Sequence, residues 1–332
     1  MNFIVIGAGV SGVTAAHLLT NTGHQVEIVD CRGHIGGNCY DEKQGQVTVH
    51  KYGPHLFHTN DKSVWNFLSR FTDWIPYSHK VVADTARGRI SIPYSLLTEE
   101  QIGARLSDAE IRELIFVQYS EKQWGVSWEQ LPDAIRNRIP ARRDNSDDRY
   151  FTDHFQGQPK DGYTALFQRM LEGIPVRLGV PRNEWRKLAC DYDHVIYTGK
   201  IDEYFDCVYG KLPYRSLRFE HEKSCQRLPH AVINQCNDLP FTRIYDHAYF
   251  LGEEPDETVI TREFPQAHDD SNEPFYPMPF GAGMELYQKY KELARQEKNT
   301  LFLGRLATYS YLDMWMAVAQ AMVKLKQQKW IS

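Results

Sequence analysis

The sequence predicts a mixed α/β fold in three parts: a parallel βαβ core that the chain leaves and later rejoins, a small helical domain, and an antiparallel sheet. Three observations predict it. The first thirty residues run strand, glycine turn, helix, strand; helix-capping signals crowd the stretch from Thr98 to Glu110; and four strand-like runs follow one another between Arg215 and Phe264 with few helical interruptions.

Phe3-Ile4-Val5-Ile6 is a short apolar, β-prone run that stops at Gly7-Ala8-Gly9-Val10-Ser11-Gly12, a G-x-G-x-x-G spacing. Gly7 allows the tight turn, Gly9 lets backbone N–H groups approach a pyrophosphate, and Gly12 lets the helix pack closely on its strand. The helix Val13 to Thr20 turns its positive N-terminus toward that anion, and Gly23 ends it. Val26-Glu27-Ile28-Val29 is the second strand and closes on Asp30, whose carboxylate is placed to accept hydrogen bonds from an adenosine ribose. The glycine spacing alone is weak, but strand, helix and terminal acid together define a Rossmann-like dinucleotide-binding unit.

The next loop, Cys31-Arg32-Gly33-His34-Ile35-Gly36-Gly37-Asn38, returns past the pyrophosphate with a basic residue and a second glycine pair. That loop looks like the extended one of FAD-binding oxidoreductase folds and favours flavin over nicotinamide. His50, His55 and His58 follow in one stretch; lacking nearby cysteine or carboxylate partners, they read as an active-site loop and not as metal ligands. Asn60 or Asp61 caps a helix with Val64, Phe67, Leu68 and Phe71 on one face, and Lys80 to Ala83 and Arg89 to Pro93 are strands joined through Arg87-Gly88. Thr98–Gln101 and Ser107–Glu110 both match a capping box, so two short helices are expected, the second buried through Ile111, Leu114 and Ile115 and running to Tyr119–Gly125.

Arg136 to Asn145 is basic and broken by Pro140, which suits a mobile loop. Arg136, Arg138 and Arg143 are expected on a solvated face, and Arg142 is the one aimed at a phosphate. Gly162 to Gly173 is a helix and Asp193 to Gly199 a strand, both returning to the first domain. Arg215–Glu220, Ala231–Gln235, Phe241–Asp246 and Thr258–Phe264 form the substrate sheet. Met284 to Gln296 is an amphipathic helix, Leu301-Phe302-Leu303 a buried strand, and a last helix opens at Tyr311 or Leu312.

At 332 residues the chain exceeds one ordinary core. Its 42% hydrophobic and 24% charged residues suit a soluble globular protein, and a net charge of −5 argues against a general nucleic-acid binder. Any anionic ligand must be held by locally placed arginines. Six cysteines without C-x-x-C pairs fit reduced thiols in the cytoplasm, no disulfide is expected, and no stretch reaches transmembrane length.

With these pieces in place the sequence resembles the UDP-galactopyranose mutases over nearly its whole length. The motifs that carry the resemblance are Gly7–Gly12, Ile35–Asn38, His50–Thr59, Glu121-Lys122-Gln123-Trp124-Gly125, Tyr197-Thr198-Gly199, Gly304-Arg305 and Tyr311-Leu312-Asp313. The resemblance implies a flavoenzyme without net redox change, in which reduced FAD, renewed by NAD(P)H or another reductant, attacks the anomeric carbon of a nucleotide-linked sugar through N5. The sugar ring then opens and recloses at the other size. It implies FAD held by 1–77, 160–212 and 297–332, a small helical domain over 96–140, and a sheet domain over 78–95, 141–159 and 213–296.

By the same resemblance Arg142 and Arg243 clamp the departing diphosphate, Tyr119 stacks near the base and Trp124 near the sugar, and Tyr276 and Tyr311 reach phosphate oxygens. Asp313 bonds the sugar or fixes its neighbours, His79 lies on the substrate side, and His58 sits close to the flavin ring. Arg32 and Asn38 join the glycines and Asp30 around the cofactor, while Arg305, Leu312 and Asp313 sit at its reactive end, where Arg305 and a helix N-terminus stabilise negative charge around N1.

Two departures stand out. The family commonly has tyrosine in an Arg-Tyr-Gln-Gly motif that touches phosphate, where this chain has His154-Phe155-Gln156-Gly157, and the helical segment between Pro93 and Tyr119 is shorter than usual. The trimmed segment predicts a monomer, or a dimer built on a different surface from the family's. A flavin oxidase of the amine-oxidase type is the enzymatic alternative, and a non-catalytic flavoprotein the other. UDP-galactose is the default substrate, with another UDP- or TDP-linked sugar left open.

Overall fold

The computed structural model describes residues 1–137, 140–269 and 271–331, so Arg138 lies outside the described residues. A parallel sheet of five strands forms one layer, in the order Val176–Arg177, Gln25–Val29, Asn2–Ile6, His194–Tyr197 and Thr300–Phe302. Its strands come from three distant stretches of the chain, as the two glycine-ended returns at Gly199 and Gly304 led one to expect. Because both faces are covered, Phe3, Ile4 and Val5 are all fully buried. Helices Val10–Asn21 and Met314–Gln327 pack together on one face through Val13, Leu19, Val318 and Ala321.

The second layer has seven strands, in the order Tyr276–Pro277, Tyr214–Ser224, Thr258–Ala267, Arg243–Asp246, Val232–Gln235, Val81–Thr85 and Gly88–Ile92. Its joins are antiparallel except one. Val232–Gln235 runs parallel to Val81–Thr85, because the early hairpin docks on the sheet from elsewhere in the chain and no tight turn constrains its direction.

A third sheet places Phe155–Pro159 between Phe57–Thr59 and Trp74–Pro76. Residues 155–159, expected in the substrate sheet, therefore pair with strands of the first segment. Asp61 caps the helix Lys62–Leu68, its carboxylate accepting from the N–H of Ser63 at 2.8 Å and Val64 at 3.2 Å.

The helical segment begins earlier than Thr98. Ser95 caps Leu96–Ile102, and Thr98 is the third residue of that helix, its hydroxyl accepting from the Ser95 N–H at 3.0 Å. Ser107 and Glu110 form the expected capping box. From Asp108 the backbone stays helical to Trp124 through a π-helical stretch, Arg112–Val117, and Gly125 ends it at φ +68°. Ile111 and Ile115 are buried against the Val81–Thr85 hairpin, with Leu114 partly buried beside them. Asp313, and neither Tyr311 nor Leu312, takes the N-cap of the last helix.

Candidate functional site

An elongated pocket runs from the glycine turn to the start of the last helix. Gly7, Gly9, Asp30, Arg32, Gly36, Gly37 and Asn38 line one end, and Arg305, Leu312 and Asp313 the other. The two glycine-rich turns touch backbone to backbone: the Gly36 N–H donates to the Ala8 carbonyl at 2.7 Å, and a Cβ on Gly37 would stand 2.9 Å from the Gly9 Cα. Gly12 stands behind the wall, where a Cβ would meet the Gly7 carbonyl at 1.9 Å, so it sets how closely the helix approaches the turn.

Asp30 is oriented by the backbone. One carboxylate oxygen accepts from the Ala8 N–H at 2.7 Å and the other from the Arg32 N–H at 2.8 Å, which leaves further lone pairs on the pocket side. Arg32 donates to Asn38 Oδ1 at 3.0 Å and to Glu273 at 3.2 Å, lies over the Tyr52 ring at 4.6 Å, and keeps one buried nitrogen, Nη1, without a protein partner. A glycine cradle, a backbone-held acid and a cation with a donor to spare fit a dinucleotide with its ribose and pyrophosphate.

Sequence reasoning missed part of this wall. Arg182, Lys200, Glu203 and Glu273 also line the pocket. Arg182 pairs with Glu273 at 2.7 Å; burial pushes the Glu273 carboxyl up, but Arg32 and Arg182 outweigh it and hold it below its ordinary value. These charges lie singly in loops and helix starts, so no periodicity or spacing marks them.

A second cluster, the candidate substrate cleft, adjoins the pocket at Arg305. Arg243 opens its strand and grips Glu263 through Nε at 3.1 Å and Nη2 at 2.7 and 2.8 Å. Burial opposes the Arg243 charge, yet the fully buried Glu263 beside it keeps the guanidinium protonated. Tyr119, Tyr276 and His79 share this electrostatic neighbourhood. Tyr276 stacks nearly parallel to Tyr311 at 6.0 Å, and Arg305 lies over both rings at 5.3 and 5.0 Å while donating to the carbonyls of Phe275 at 3.2 Å and Leu312 at 2.6 Å. Trp124 continues the column, 6.0 Å from Tyr276 and 5.9 Å from Phe280. Burial pushes the Tyr276 phenol up to about 12 and the Tyr119 phenol up as well, so both stay protonated and able to donate.

Three expected residues stand elsewhere. His58 does not line the dinucleotide pocket; it lies on Phe151 with its ring 3.6 Å away and pairs with Asp153 at 2.8 Å. His55 lines the pocket instead, because it precedes the strand Phe57–Thr59 while His58 is fixed within it. Phe155 pairs with Thr59, and the two-residue period of a strand puts both on the face opposite His58 and Gln156, where the Phe155 ring stacks on Trp65 at 5.2 Å. Arg142 donates to the carbonyls of Asp147 at 2.8 Å and Arg149 at 2.6 Å, folding its own loop together. Arg136 pairs with Asp133 and Arg143 with Asp108, yet both are half-buried and not on the open face expected for them: Arg136 keeps a buried Nε without a partner among the described residues, and Arg143 lies over the Tyr94 ring and donates to the Leu106 carbonyl at 2.9 Å.

His79 is buried beneath the cleft, its Nδ1 3.1 Å from the Tyr77 hydroxyl, and burial lowers it to about 3. The three histidines of the loop diverge: the His55 N–H donates to His50 Nδ1 at 3.0 Å, His55 Nδ1 meets the Gly53 carbonyl at 2.8 Å, and His58 faces Asp153.

The fold and site define a two-layer protein of the enzyme class in which a Rossmann-like dinucleotide-binding layer is joined to a second sheet carrying a cluster of arginine and tyrosine side chains. A family profile described as UDP-galactopyranose mutase matches residues 114–311, and one described as NAD(P)-binding Rossmann-like domain matches residues 5–71. The chain is 37% identical to the dTDP-fucopyranose mutase of Escherichia coli, with 96% of each chain covered. It is also 37% identical to the probable UDP-galactopyranose mutase of Klebsiella pneumoniae, covering 97% of this chain and 93% of that one. In fold it resembles the crystal structure of a reduced UDP-galactopyranose mutase, with a TM-score of 0.77 at 15% identity over 99% of this chain and 95% of the other. The chain belongs to the UDP-galactopyranose mutase family.

Proposed function

We propose that the protein is a flavin-dependent mutase that interconverts pyranose and furanose forms of a nucleotide-linked sugar, with FAD in the elongated pocket and the sugar nucleotide in the adjoining cleft. The observation that carries this reading is the column Trp124, Tyr276, Tyr311 and Arg305, which runs without a break from the cleft to the end of the pocket. Asp30 takes the adenosine ribose; Gly9 and Arg32 take the pyrophosphate. Arg305 and the N-terminus of the helix Met314–Gln327 place positive potential at the pocket's far end. Reduced flavin, kept so by NAD(P)H or another reductant, supplies a nucleophilic nitrogen there.

The chain's residues do the rest. Arg243, held charged by Glu263, meets the diphosphate as its charge grows on departure, and this contact strengthens toward the transition state. Tyr119 and Trp124 hold base and sugar, and the phenols of Tyr276 and Tyr311 donate to phosphate oxygens. Arg142 is the second arm of the clamp and reaches the diphosphate by leaving the carbonyls of Asp147 and Arg149. His55 takes the place beside the cofactor that His58 was given: with Nδ1–H on the Gly53 carbonyl, its Nε2 is left as an acceptor in a ring that lines the pocket.

The substrate is UDP-galactose or a dTDP-linked deoxy sugar, since relatives named for each are equally similar to this chain. Incubating oxidised and dithionite-reduced enzyme with each nucleotide sugar and separating products by ring size tests the reading. Ring contraction by the reduced enzyme alone is expected; equal turnover by oxidised enzyme, or none with either substrate, overturns it.

A further inference from the structure

Lys122 lies on the helix Gln118–Trp124, between the two cleft aromatics Tyr119 and Trp124. Its ammonium enters the loop that joins the strands Val232–Gln235 and Arg243–Asp246. There Nζ stands 2.8 Å from the Gln235 carbonyl oxygen, 2.8 Å from that of Asn237, 2.9 Å from that of Leu239 and 3.3 Å from that of Phe241. Alternate residues of the loop thus turn their carbonyls on one point, the arrangement of hard oxygens that a small cation selects.

An ammonium is a compact charge with three rotatable donors, so it can serve such a cage where a planar guanidinium cannot. Without it, four carbonyl dipoles would face one another. The loop leads directly into Thr242, which is fully buried and donates to the Glu263 carbonyl at 2.9 Å, and then into Arg243. At the other side Arg215 closes the end of the helix by donating to the carbonyls of Gln123 at 3.0 Å and Lys122 at 3.3 Å. One side-chain charge therefore ties the helix that carries Tyr119 and Trp124 to the loop that delivers Arg243.

We propose that Lys122 is a positioning residue, which fixes the distance between the aromatic grip on the nucleotide sugar and the arginine that meets its diphosphate. It touches no ligand and acts through Arg243. The inference rests on the cleft being the nucleotide-sugar site.

The test uses FAD-loaded protein. UDP is titrated into the wild type, Lys122→Ala and Lys122→Met, with kcat and KM measured for the nucleotide sugar, all in sodium chloride and again in ammonium chloride of equal ionic strength. Expected is a loss of UDP affinity of about tenfold or more in Lys122→Ala, a fall in kcat together with a rise in KM, since the displaced Arg243 serves the transition state as well as binding, and tighter UDP binding by the variant in ammonium than in sodium. If Lys122→Ala does not fold, Lys122→Met, which keeps the aliphatic stem, is scored by the same criteria. Wild-type affinity and KM in the folded variant, or the same weakened affinity in both salts, overturns the role of Lys122. A wild type that ignores UDP overturns the nucleotide-sugar reading itself.

Discussion

Arg243 and Glu263 form a pair in which the acid is wholly buried and the guanidinium holds it with three short contacts. Truncating the arginine strands a carboxylate in the interior, so Arg243→Ala should lose about 3–5 kcal/mol of stability along with its activity. Arg243→Lys keeps the charge without the fork and should fold nearly as well yet turn over at least roughly tenfold more slowly. Melting curves beside turnover numbers separate the two, and an alanine variant as stable as the wild type would refute the account. Phe155→Tyr makes a second test at this scale. The new hydroxyl would lie on the Trp65 side of its strand, so nucleotide affinity should not change; tighter binding would mean that Phe155 faces the cleft after all. That Arg305 meets Tyr311 was legible in the motifs Gly304-Arg305 and Tyr311-Leu312-Asp313, whereas Arg243, Tyr119 and Tyr276 were indicated by the family resemblance and by no local pattern. The choice between His55 and His58 was not, because it depends on where a strand of three residues begins, and that boundary is set by pairing with the distant Phe155–Pro159.

Among the elements, the strand Val47–His50, the loop after it and the turn at His247 bring together histidines whose hydrogen bonds require them neutral. His247 Nδ1 accepts from the His50 N–H at 3.1 Å, and His50 Nδ1 accepts from the His55 N–H at 3.0 Å. Burial lowers His50, His55 and His79 to about 3, and His247 well below its ordinary value. Unfolding frees each to take a proton near its ordinary value of 6.5, so the unfolded chain binds more protons below that pH. Their contribution is therefore complete above pH about 6.5 and falls as pH drops toward about 3, by up to roughly 1.4 kcal/mol per pH unit for each histidine. Urea midpoints at pH 7.5, 6 and 5 should decline before ordinary carboxylates titrate; a flat profile over that range would contradict the neutral network. Element boundaries were legible where local chemistry sets them, as at Ser107 and, to within one residue of the two candidates Asn60 and Asp61, at the helix Lys62–Leu68. They were not where two caps compete, as Ser95 does with Thr98, nor in the π-helical stretch, since Ile111, Leu114 and Ile115 satisfy α-helical spacing equally well.

At the scale of the molecule, two returning strands of the parallel sheet, Asp193–Gly199 and Leu301–Gly304, were legible as apolar runs ending in glycine, whereas the two-residue strand Val176–Arg177 and the parallel docking of the hairpin 81–92 were not, being pairings between distant segments. The quaternary state follows from how the helical segment disposes its apolar groups. Leu106, Ile111, Ile115, Trp128 and Leu131 are all buried within the chain, and among the described residues the exposed large ones are Met1, Leu96, Leu178, the neighbours Val208 and Tyr209, Leu239 and Val323, of which Leu96 alone belongs to the helical segment. The alignment with the E. coli mutase spans 362 positions against 332 residues here, so parts of that relative have no counterpart in this chain. A stable dimer buries at least roughly 1,200 Å², and scattered side chains do not assemble such a patch. We therefore expect a monomer at micromolar concentration, or a dimer that leaves residues 96–136 uncovered. Sedimentation velocity across a hundredfold range of concentration checks this, with hydrogen exchange on any dimer that forms; protection over 96–136 that rises with association would show the interface to be the helical segment and defeat the expectation.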